Sequence, residues 1–246
     1  KSAYPQDILV ADSDPKKIQA LRKDIAVRVA KNNRHAASLA DVLILAVKPQ
    51  VLRQVIEEVA SVTDKKTLVI SVAAGVTIAK IESYFKKTLG VIRVMPNMPA
   101  LVGSGMSAFS LGRHAEAKHR RIAETILSAT GESAQVQEKL LDLVTAVSGS
   151  GPAYYFLLTE KLIEAAYELG MKIDVAKKFV YQTAYGSAKV LMESQEDPEV
   201  LIERVASKRG TTEAALGVFR QKGFGRIVRD AVHAALKRSI ELRETK

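Results

Sequence analysis

Cysteine is absent from all 246 residues of the chain, which excludes disulfide bonds and cysteine-ligated metal sites. A chain without cysteine suits a reducing compartment, so we expect a cytoplasmic location. No apolar run approaches the roughly 20 residues that a helix needs to cross a bilayer, and no signal-peptide pattern opens the chain. These absences predict a protein that neither spans a membrane nor depends on disulfides.

Aromatic residues are scarce, at 5% of the chain, and no block of like charges stands out. The 37 basic and 27 acidic residues still leave a net charge of +10, which attracts anions such as nucleic acids, acidic membranes or phosphorylated cofactors. Because the basic residues are scattered along helical stretches, we interpret them as solvated helix faces and expect no nucleic-acid binding. Metal-ligand spacing is also lacking among the four histidines, which we interpret as surface residues: His35, His114, His119 and His233.

Hydrophobic residues make up 47% of the chain, enough for a buried core, and the length suits two domains of about 100 to 150 residues each. The first half alternates short β-branched runs with amphipathic stretches. Strands are predicted at 8–11, 42–47, 68–72 and 91–94, with helices between them. Fully apolar runs are typical of buried parallel strands. The alternation therefore predicts an α/β domain with a doubly wound, mostly parallel sheet of the Rossmann type.

The strand signal fades after Gly131, and apolar residues then recur at helical spacing. A turn at 148–152 starts a long helix, with Pro152 at its first position, and further helices are predicted to the end of the chain. We therefore predict a dinucleotide-binding domain at residues 1–137 and an all-helical domain at residues 138–246.

The loops after the apolar strands are unusual in composition. They read AVKPQ (46–50), SVAAG (71–75) and MPNMP (95–99). In a doubly wound sheet, ligands bind at the carboxyl ends of the strands. Small residues allow close approach of a ligand to the backbone, prolines hold the loops in shape, and Lys48 can meet an anion. Each loop taken singly is ordinary turn chemistry, but three on one sheet edge favour a bound nucleotide.

The glycine-rich phosphate turn of a dinucleotide fold is not found where it is expected, between the first strand and the first helix. The residues before Ile8 contain no glycine, and GSGMSA at 103–108 is preceded by no apolar strand. We therefore interpret 8–11 as the second strand of the fold, with the first strand, turn and helix lost or left out. The chain as written is then expected to bind cofactor poorly and to have an unstable sheet.

On this interpretation Asp12 stands where an acid bonds the adenosine ribose of NAD. Ser13, Lys16 and Lys17 could instead hold the 2′-phosphate of NADP, so the choice between NADH and NADPH stays open. The segment 13–15 is equally well explained as a helix cap.

Five motifs together resemble the pyrroline-5-carboxylate reductase family. They are AVKPQ (46–50), SVAAGV (71–76), RVMPNMPA (93–100), SGSGPAY (148–154) and RGTTEAAL (209–216). The resemblance extends from about Tyr4 to the end of the chain. SGSGPAY together with GTTEA is a specific pair, whereas each loop alone would be a weak signal.

The resemblance implies an NAD(P)H-dependent oxidoreductase of proline biosynthesis, with a Rossmann domain followed by a helical domain that interlocks with a second chain. It also implies homodimers that often assemble into decamers. The implied cofactor-site residues are Ala46, Val47, Lys48, Pro49, Gln50, Ala73, Ala74, Gly75 and Asn97, the last near the nicotinamide ribose. Ser13 joins them through the 2′-phosphate interpretation given above. The implied substrate loop comprises Ser207, Gly210, Thr211 and Thr212.

Three features depart from the family pattern. The N-terminal strand and its G-x-G-x-x-A/G turn are not in this sequence. Met98 stands where the family usually has threonine. The substrate loop reads Ser207-Lys208-Arg209-Gly210 instead of Ser-Pro-Gly-Gly, and Arg209 takes a positive φ less readily than glycine.

The implied reaction is hydride transfer to C5 of Δ1-pyrroline-5-carboxylate, which yields L-proline. A protonated cyclic imine is a strong electrophile, so the protein needs to orient two reactants and bind one carboxylate, and no catalytic histidine or cysteine is required. Backbone N–H groups at the helix start around Gly210 suit the carboxylate. We predict that the Thr212 hydroxyl is the catalytic hydrogen-bond partner of the ring nitrogen, although a plain helix cap would also explain it.

Three alternatives remain at this point. Another two-domain imine reductase or β-hydroxyacid dehydrogenase would lack the SGSGPAY and GTTEA pair. A non-catalytic, oligomer-forming relative would keep the helical domain and bind no dinucleotide. A basic nucleic-acid binder would retain DNA or RNA in a salt-sensitive way.

Overall fold

The apolar runs of the first half form a five-stranded sheet in the computed structural model, which describes residues 4–244. In spatial order its strands are β3 (Val42–Leu45), β4 (Leu68–Ser71), β5 (Gly90–Met95), β6 (Gly105–Leu111) and β7 (Gly131–Gln135). β3, β4 and β5 are parallel to one another, as predicted. β6 is antiparallel to β5 and parallel to β7. The helices of this region are α1 (Pro15–Asp24), α2 (Asn33–Leu39), α3 (Pro49–Val59), α4 (Ile78–Phe85) and α5 (Ala117–Ser128).

Two further strands make a small sheet of their own. β1 (Leu9–Val10) pairs in parallel with β2 (Arg28–Val29). The classic doubly wound sheet has the strand order 3-2-1-4-5-6. β2 and β1 correspond to its strands 3 and 2, and β3, β4 and β5 correspond to its strands 4, 5 and 6. Within residues 4–244, no strand hydrogen-bonds to both β1 and β3. The predicted fold class, a Rossmann-type parallel-sheet domain followed by a helical domain, is confirmed.

Both faces of β4 are buried, which explains why this strand is apolar at every position but its last. Val69 packs with α3 and α4 side chains such as Ile56 and Ile81. Leu68 and Ile70 point the other way and pack in the cluster that includes Phe109 and Ala123. Successive residues of a strand face opposite sides, and burying each such large side chain contributes roughly 1.5–3 kcal/mol. The predicted core strands were therefore the easiest elements to find.

The strands β6 and β7 were not predicted, because their sequences mix polar and apolar residues. β7 reads GESAQ and lies at the edge of the sheet, so it needs no apolar run. β6 buries Ser107 and Ser110 together with Phe109. Their pairing depends on Gly131, whose φ is +137°. A Cβ at that position would lie 2.1 Å from the Gly105 carbonyl oxygen.

One histidine differs from the prediction that all four lie on the surface. His119 is 7% exposed. Its Nδ1 atom accepts a hydrogen bond from the Glu116 backbone N–H at 3.0 Å, and its ring packs against Gly90, where a Cβ would come within 2.8 Å of the same nitrogen. His119 therefore caps and packs α5. No group of three or more candidate metal-ligating residues occurs in residues 4–244.

The chain divides into two units. The first comprises the residues up to Gly149 and those from Ala235 onward, and the second comprises residues 150–234. In the first unit, α6 (Leu141–Val144) runs into a π-helical turn (Thr145–Gly149). The second contains α7 (Gly151–Glu168), α8 (Ile173–Ser194), α9 (Pro198–Val205) and α10 (Thr211–Gln221), and the last helix, α11 (Phe224–Glu244), begins in it.

The second unit exposes much of its apolar surface. Only Gly151, Ile163 and Ala176 are buried among its residues. Large exposed side chains include Tyr155, Phe156, Leu157, Leu162, Tyr167, Phe179, Tyr181 and Tyr185. Exposed apolar area on this scale marks an interaction surface. None of the helices in the described part of the chain is both long enough and apolar enough to cross a membrane.

Candidate active site

The carboxyl ends of β3, β4 and β5 meet along one edge of the sheet. The strand register places Leu45 beside Ser71 and Ser71 beside Arg93. The three loops singled out in the sequence leave the sheet just after this line, so the fold brings the predicted cofactor residues of 46–50, 73–75 and 97 to a common edge. Parallel α/β sheets bind ligands at this edge.

The first loop leads directly into α3. Lys48 is the N-cap residue and Pro49 occupies the first turn, a position where proline costs no hydrogen bond. Ala46, Lys48 and Gln50 are exposed, while Val47 is half-buried against the core. The exposed ammonium group of Lys48 has no ion pair within residues 4–244, so it adds positive charge at a helix N-terminus, where anions bind favourably.

The second loop is a tight turn backed by the C-terminal helix. Gly75 has φ +73°, and a Cβ there would lie 3.5 Å from the Leu242 carbonyl oxygen. Ala73 is only 1% exposed and packs in the core, while Ala74 is exposed. Thr77 then caps α4 by accepting from the Lys80 N–H at 3.3 Å. The turn thus offers mostly backbone to the sheet edge.

The third loop is held by Asn97. Its Oδ1 atom accepts from the Met106 backbone N–H at 2.9 Å, and its Nδ2 atom donates to the Ser148 hydroxyl oxygen at 3.2 Å. The side chain is therefore fixed between β6 and the π-helical turn. Ser148 was not among the predicted site residues. The SGSGPAY motif was a signal that could have pointed to it.

The segment after β1 is tied up by local hydrogen bonds. Asp12 accepts from the Asp14 backbone N–H at 2.8 Å and lies 3.8 Å from the Lys17 ammonium. Asp14 caps α1 by accepting from the Lys16 N–H at 2.9 Å. Ser13, which could have been the cap, is exposed and leaves its hydroxyl without a partner in the described residues. The helix-cap interpretation of this segment therefore falls on Asp14.

A cluster of charged and polar side chains centred on buried Arg93 and Asp142, here called the Arg93 cluster, links β5 to α6 and α11. It comprises Arg93, Glu138, Asp142, Ser239 and Arg243. Arg93 and Asp142 have side chains 4% and 3% exposed, with 3.9 Å between their nearest charged atoms. Asp142 accepts from the Ser239 hydroxyl at 2.9 Å and from Arg243 at 2.6 Å.

Glu138 extends the Arg93 cluster to the start of α4. Its Oε1 atom accepts from Arg93 at 3.2 Å and from the Ile78 backbone N–H at 2.7 Å. A carboxylate at a helix N-terminus is electrostatically favourable. The cluster therefore anchors the helix that follows the Gly75 turn.

In the second unit, the predicted substrate loop forms a compact turn before α10. Gly210 is the N-cap residue and donates its N–H to the Ser207 carbonyl at 2.9 Å. A Cβ on Gly210 would lie 2.3 Å from the Ser207 hydroxyl oxygen. Arg209 adopts φ +62°, and its N–H donates to the Glu213 carboxylate at 2.5 Å. The turn thus keeps a glycine-like backbone although arginine occupies it.

Thr211 and Thr212 are the first two residues of α10, so neither is the helix cap. Thr211 is exposed and Thr212 is half-buried. Neither hydroxyl has a hydrogen-bond partner in the described part of the chain. The first N–H groups of a helix also lack intrahelical acceptors. Hydroxyl and backbone donors are therefore available together at this helix start.

Arg209→Gly is expected to raise the free energy of unfolding by up to about 1 kcal/mol. Left-handed backbone costs a non-glycine residue about 1–2 kcal/mol, and the greater freedom of glycine in the unfolded chain offsets roughly 0.5–1 kcal/mol of that gain. Urea unfolding measures the change. Lys208→Gly is the matched control, since Lys208 has no positive φ and should gain nothing. A clear loss of stability in Arg209→Gly would contradict the prediction.

Comparisons with known proteins agree on one family. The family model described as "Pyrroline-5-carboxylate reductase dimerisation" matches residues 138–242. The pyrroline-5-carboxylate reductase of Synechocystis sp. is 39% identical over 242 residues, which cover 98% of this chain and 90% of the relative. The chain belongs to the pyrroline-5-carboxylate reductase family. The resemblance carried by the five motifs is confirmed.

Other members of the family extend the likeness. The pyrroline-5-carboxylate reductase of Escherichia coli is 34% identical, with 97% of this chain and 88% of the relative covered. The solved structure of a pyrroline-5-carboxylate reductase from Coxiella burnetii has a TM-score of 0.91 at 34% identity and covers 97% of this chain and 89% of that one. The Plasmodium falciparum enzyme, solved with NADP bound, has a TM-score of 0.86 at 26% identity, with coverages of 97% and 88%. A model described as "NADP oxidoreductase coenzyme F420-dependent" matches residues 1–75.

Proposed function

We propose that this chain reduces Δ1-pyrroline-5-carboxylate to L-proline with NADPH as the hydride donor, the last step of proline biosynthesis. The observation that carries the proposal is the 39% identity to a pyrroline-5-carboxylate reductase across 98% of the chain. The site geometry supports it independently, because the chain offers a nucleotide-binding sheet edge and a helix start with free donors. The alternatives of a different dehydrogenase or a non-catalytic relative are not favoured by these comparisons.

The residues at the sheet edge fit a dinucleotide. Three loops with small or exposed residues follow adjacent parallel strands, and Lys48, which has no ion pair among the described residues, supplies a cation at the start of α3. When bound there, the cofactor supplies the hydride. On the chain's side, the turn at Gly75 allows a ligand to approach the backbone closely, and Lys48 attracts phosphate.

The segment after β1 favours NADPH over NADH. Asp12 is held by the Asp14 N–H and lies near Lys17, so its charge is partly offset. Ser13, Lys16 and Lys17 are exposed beside it and can meet a 2′-phosphate. The name of the matching family model and the NADP of the Plasmodium falciparum structure agree with this choice.

The α10 start binds the substrate in this proposal. The backbone N–H groups of Thr211 and Thr212 and the helix dipole bind the ring carboxylate. The Thr212 hydroxyl oxygen accepts a hydrogen bond from the protonated ring nitrogen and so holds the iminium proton in place. Reduction of the iminium carbon leaves that proton on the nitrogen of proline. Orientation of the two reactants can contribute several kcal/mol to lowering the barrier (about 7–11 kcal/mol in the best intramolecular cases).

Several finer points are part of the proposal. The dimerisation model and the apolar surface of the second unit support self-association, and we propose a homodimer that can assemble into a decamer.

We place the domain boundary at residue 137, in agreement with a dimerisation match that begins at residue 138. A cytoplasmic location and the lack of nucleic-acid binding remain predictions.

The experiment that tests the function follows the oxidation of NADPH and of NADH at their absorbance band, with and without Δ1-pyrroline-5-carboxylate. We expect oxidation that depends on substrate, is faster with NADPH, and yields L-proline in equal amount. Circular dichroism on the same sample verifies that the chain is folded. A folded chain that oxidises neither cofactor in the presence of substrate, even at cofactor concentrations high enough to overcome weak binding, would contradict the proposal.

A further inference from the structure

The π-helical turn Thr145–Gly149 lies against the carboxyl end of β5. Its Ala146 is fully buried, and a Cβ on Gly149 would come within 2.5 Å of the Met95 Cε atom. The turn is therefore packed tightly onto the strand that leads to Asn97. π-helical turns are rare and occur often at functional sites.

The Ser148 hydroxyl in this turn accepts one hydrogen bond and, within the described residues, donates none. Its oxygen accepts a hydrogen bond from Asn97 Nδ2 at 3.2 Å. A serine hydroxyl can also donate one hydrogen bond, and within residues 4–244 the Ser148 O–H has no acceptor. The side chain is half-buried. The Ser148 O–H group is therefore an unused hydrogen-bond donor at the sheet edge where the cofactor residues converge.

Asn97 determines how that donor is aimed. Its amide oxygen is held by the Met106 N–H at 2.9 Å, which leaves the amide nitrogen directed at Ser148. Because Asn97 Nδ2 donates to the serine oxygen, the O–H bond of Ser148 must point away from Asn97. Asn97, which follows β5, thus orients the Ser148 hydroxyl.

We propose that Ser148 donates a hydrogen bond to an acceptor oxygen of the reacting pair, and that Asn97 is its positioning residue. The acceptor is a carbonyl or carboxylate oxygen, which belongs either to the nicotinamide carboxamide or to the substrate carboxylate. This inference rests on the proposed function, since it requires that the chain binds this cofactor and this substrate. It assigns a role to a residue outside the predicted site.

The test compares Ser148→Ala with Ser148→Thr and with the control Ser83→Ala. Ser83 is an exposed serine in α4 whose hydroxyl donates to the Lys80 carbonyl at 2.7 Å. Three quantities are measured for each variant: the Kd of NADPH by titration without substrate, the KM of each reactant with kcat, and the urea midpoint.

If the acceptor is the neutral carboxamide, Ser148→Ala should weaken NADPH binding about 2- to 10-fold. If the acceptor is the carboxylate, the KM of the substrate should rise by about 10- to 100-fold with NADPH affinity unchanged. In either case Ser148→Thr should restore most of the loss, and Ser83→Ala should behave as the unchanged chain.

The role of Asn97 is tested by a double-mutant cycle. Asn97→Ala should raise whichever constant Ser148→Ala raises, the Kd of NADPH or the KM of the substrate. The double variant should show little further rise, because both changes remove the same oriented hydrogen-bond donor. Ser148→Ala with both affinities and kcat within about twofold of the unchanged chain would overturn the inference, even if the urea midpoint fell. A fully additive cycle would overturn the role of Asn97. An unchanged chain that binds and oxidises no cofactor would show instead that the proposed function, and with it this inference, is wrong.

Discussion

Asp142→Ala is expected to lower the free energy of unfolding by about 3–5 kcal/mol, the range found when one partner of a buried ion pair is removed. The Asp142 carboxylate lies between Arg93 and Arg243 and also accepts from Ser239. Without it, the guanidinium of Arg93, whose side chain is 4% exposed, keeps only Glu138 as an anionic partner among residues 4–244. A buried cation with too few partners is costly.

Urea unfolding followed by circular dichroism measures this effect, at one protein concentration because self-association shifts apparent stability. The matched control is Glu57→Ala. Glu57 pairs with Arg53 at 2.8 Å on an exposed face of α3, where such pairs contribute about 0.3–0.5 kcal/mol. A loss in Asp142→Ala no larger than in Glu57→Ala would show that the Arg93 cluster does not stabilise the first unit.

Thr212→Val is expected to lower kcat/KM for Δ1-pyrroline-5-carboxylate by about 100-fold, as removal of one donor or acceptor at a transition-state charge typically does. Valine keeps the shape and β-branching of threonine, and the Thr212 hydroxyl makes no hydrogen bond in the described residues that its removal would break. The loss should therefore fall on catalysis and leave the urea midpoint and the Kd of NADPH nearly unchanged.

Steady-state kinetics with the substrate varied at saturating NADPH measures this prediction. Thr88→Val removes a hydroxyl from an exposed threonine in the turn between α4 and β5, and it should leave kcat/KM unaltered. If Thr212→Val retained more than about a third of the original kcat/KM, a catalytic role for its hydroxyl would be wrong, since that corresponds to less than about 0.7 kcal/mol.

The buried strands were predicted from the sequence, whereas edge or very short strands were not. β4 was found from its apolar run because both of its faces are covered. β7 was missed because an edge strand of sequence GESAQ carries no such signal. β2, only two residues long, was missed in the same way. Short or one-sided strands are specified by pairing with neighbours and not by their own periodicity.

The candidate site was partly predictable for a similar reason. Proline and small residues in the loops after β3, β4 and β5 indicated a ligand-binding edge from the sequence alone. The conformation of Arg209 was less accessible, because the motif suggested glycine there. The chain nevertheless keeps φ +62° at that residue, with the Glu213 carboxylate accepting from its N–H.

The sequence by itself determined the family, the order of helices and core strands, and the loops that line the sheet edge, because these features depend on neighbouring residues. Only the tertiary structure decided which distant side chains meet. Asn97 bonds to Ser148 across 51 positions, and Asp142 bonds to Arg243 across 101. Polar contacts of this kind have no periodicity along the chain. They exist because the packed sheet and helices bring the groups together and reduce their access to water.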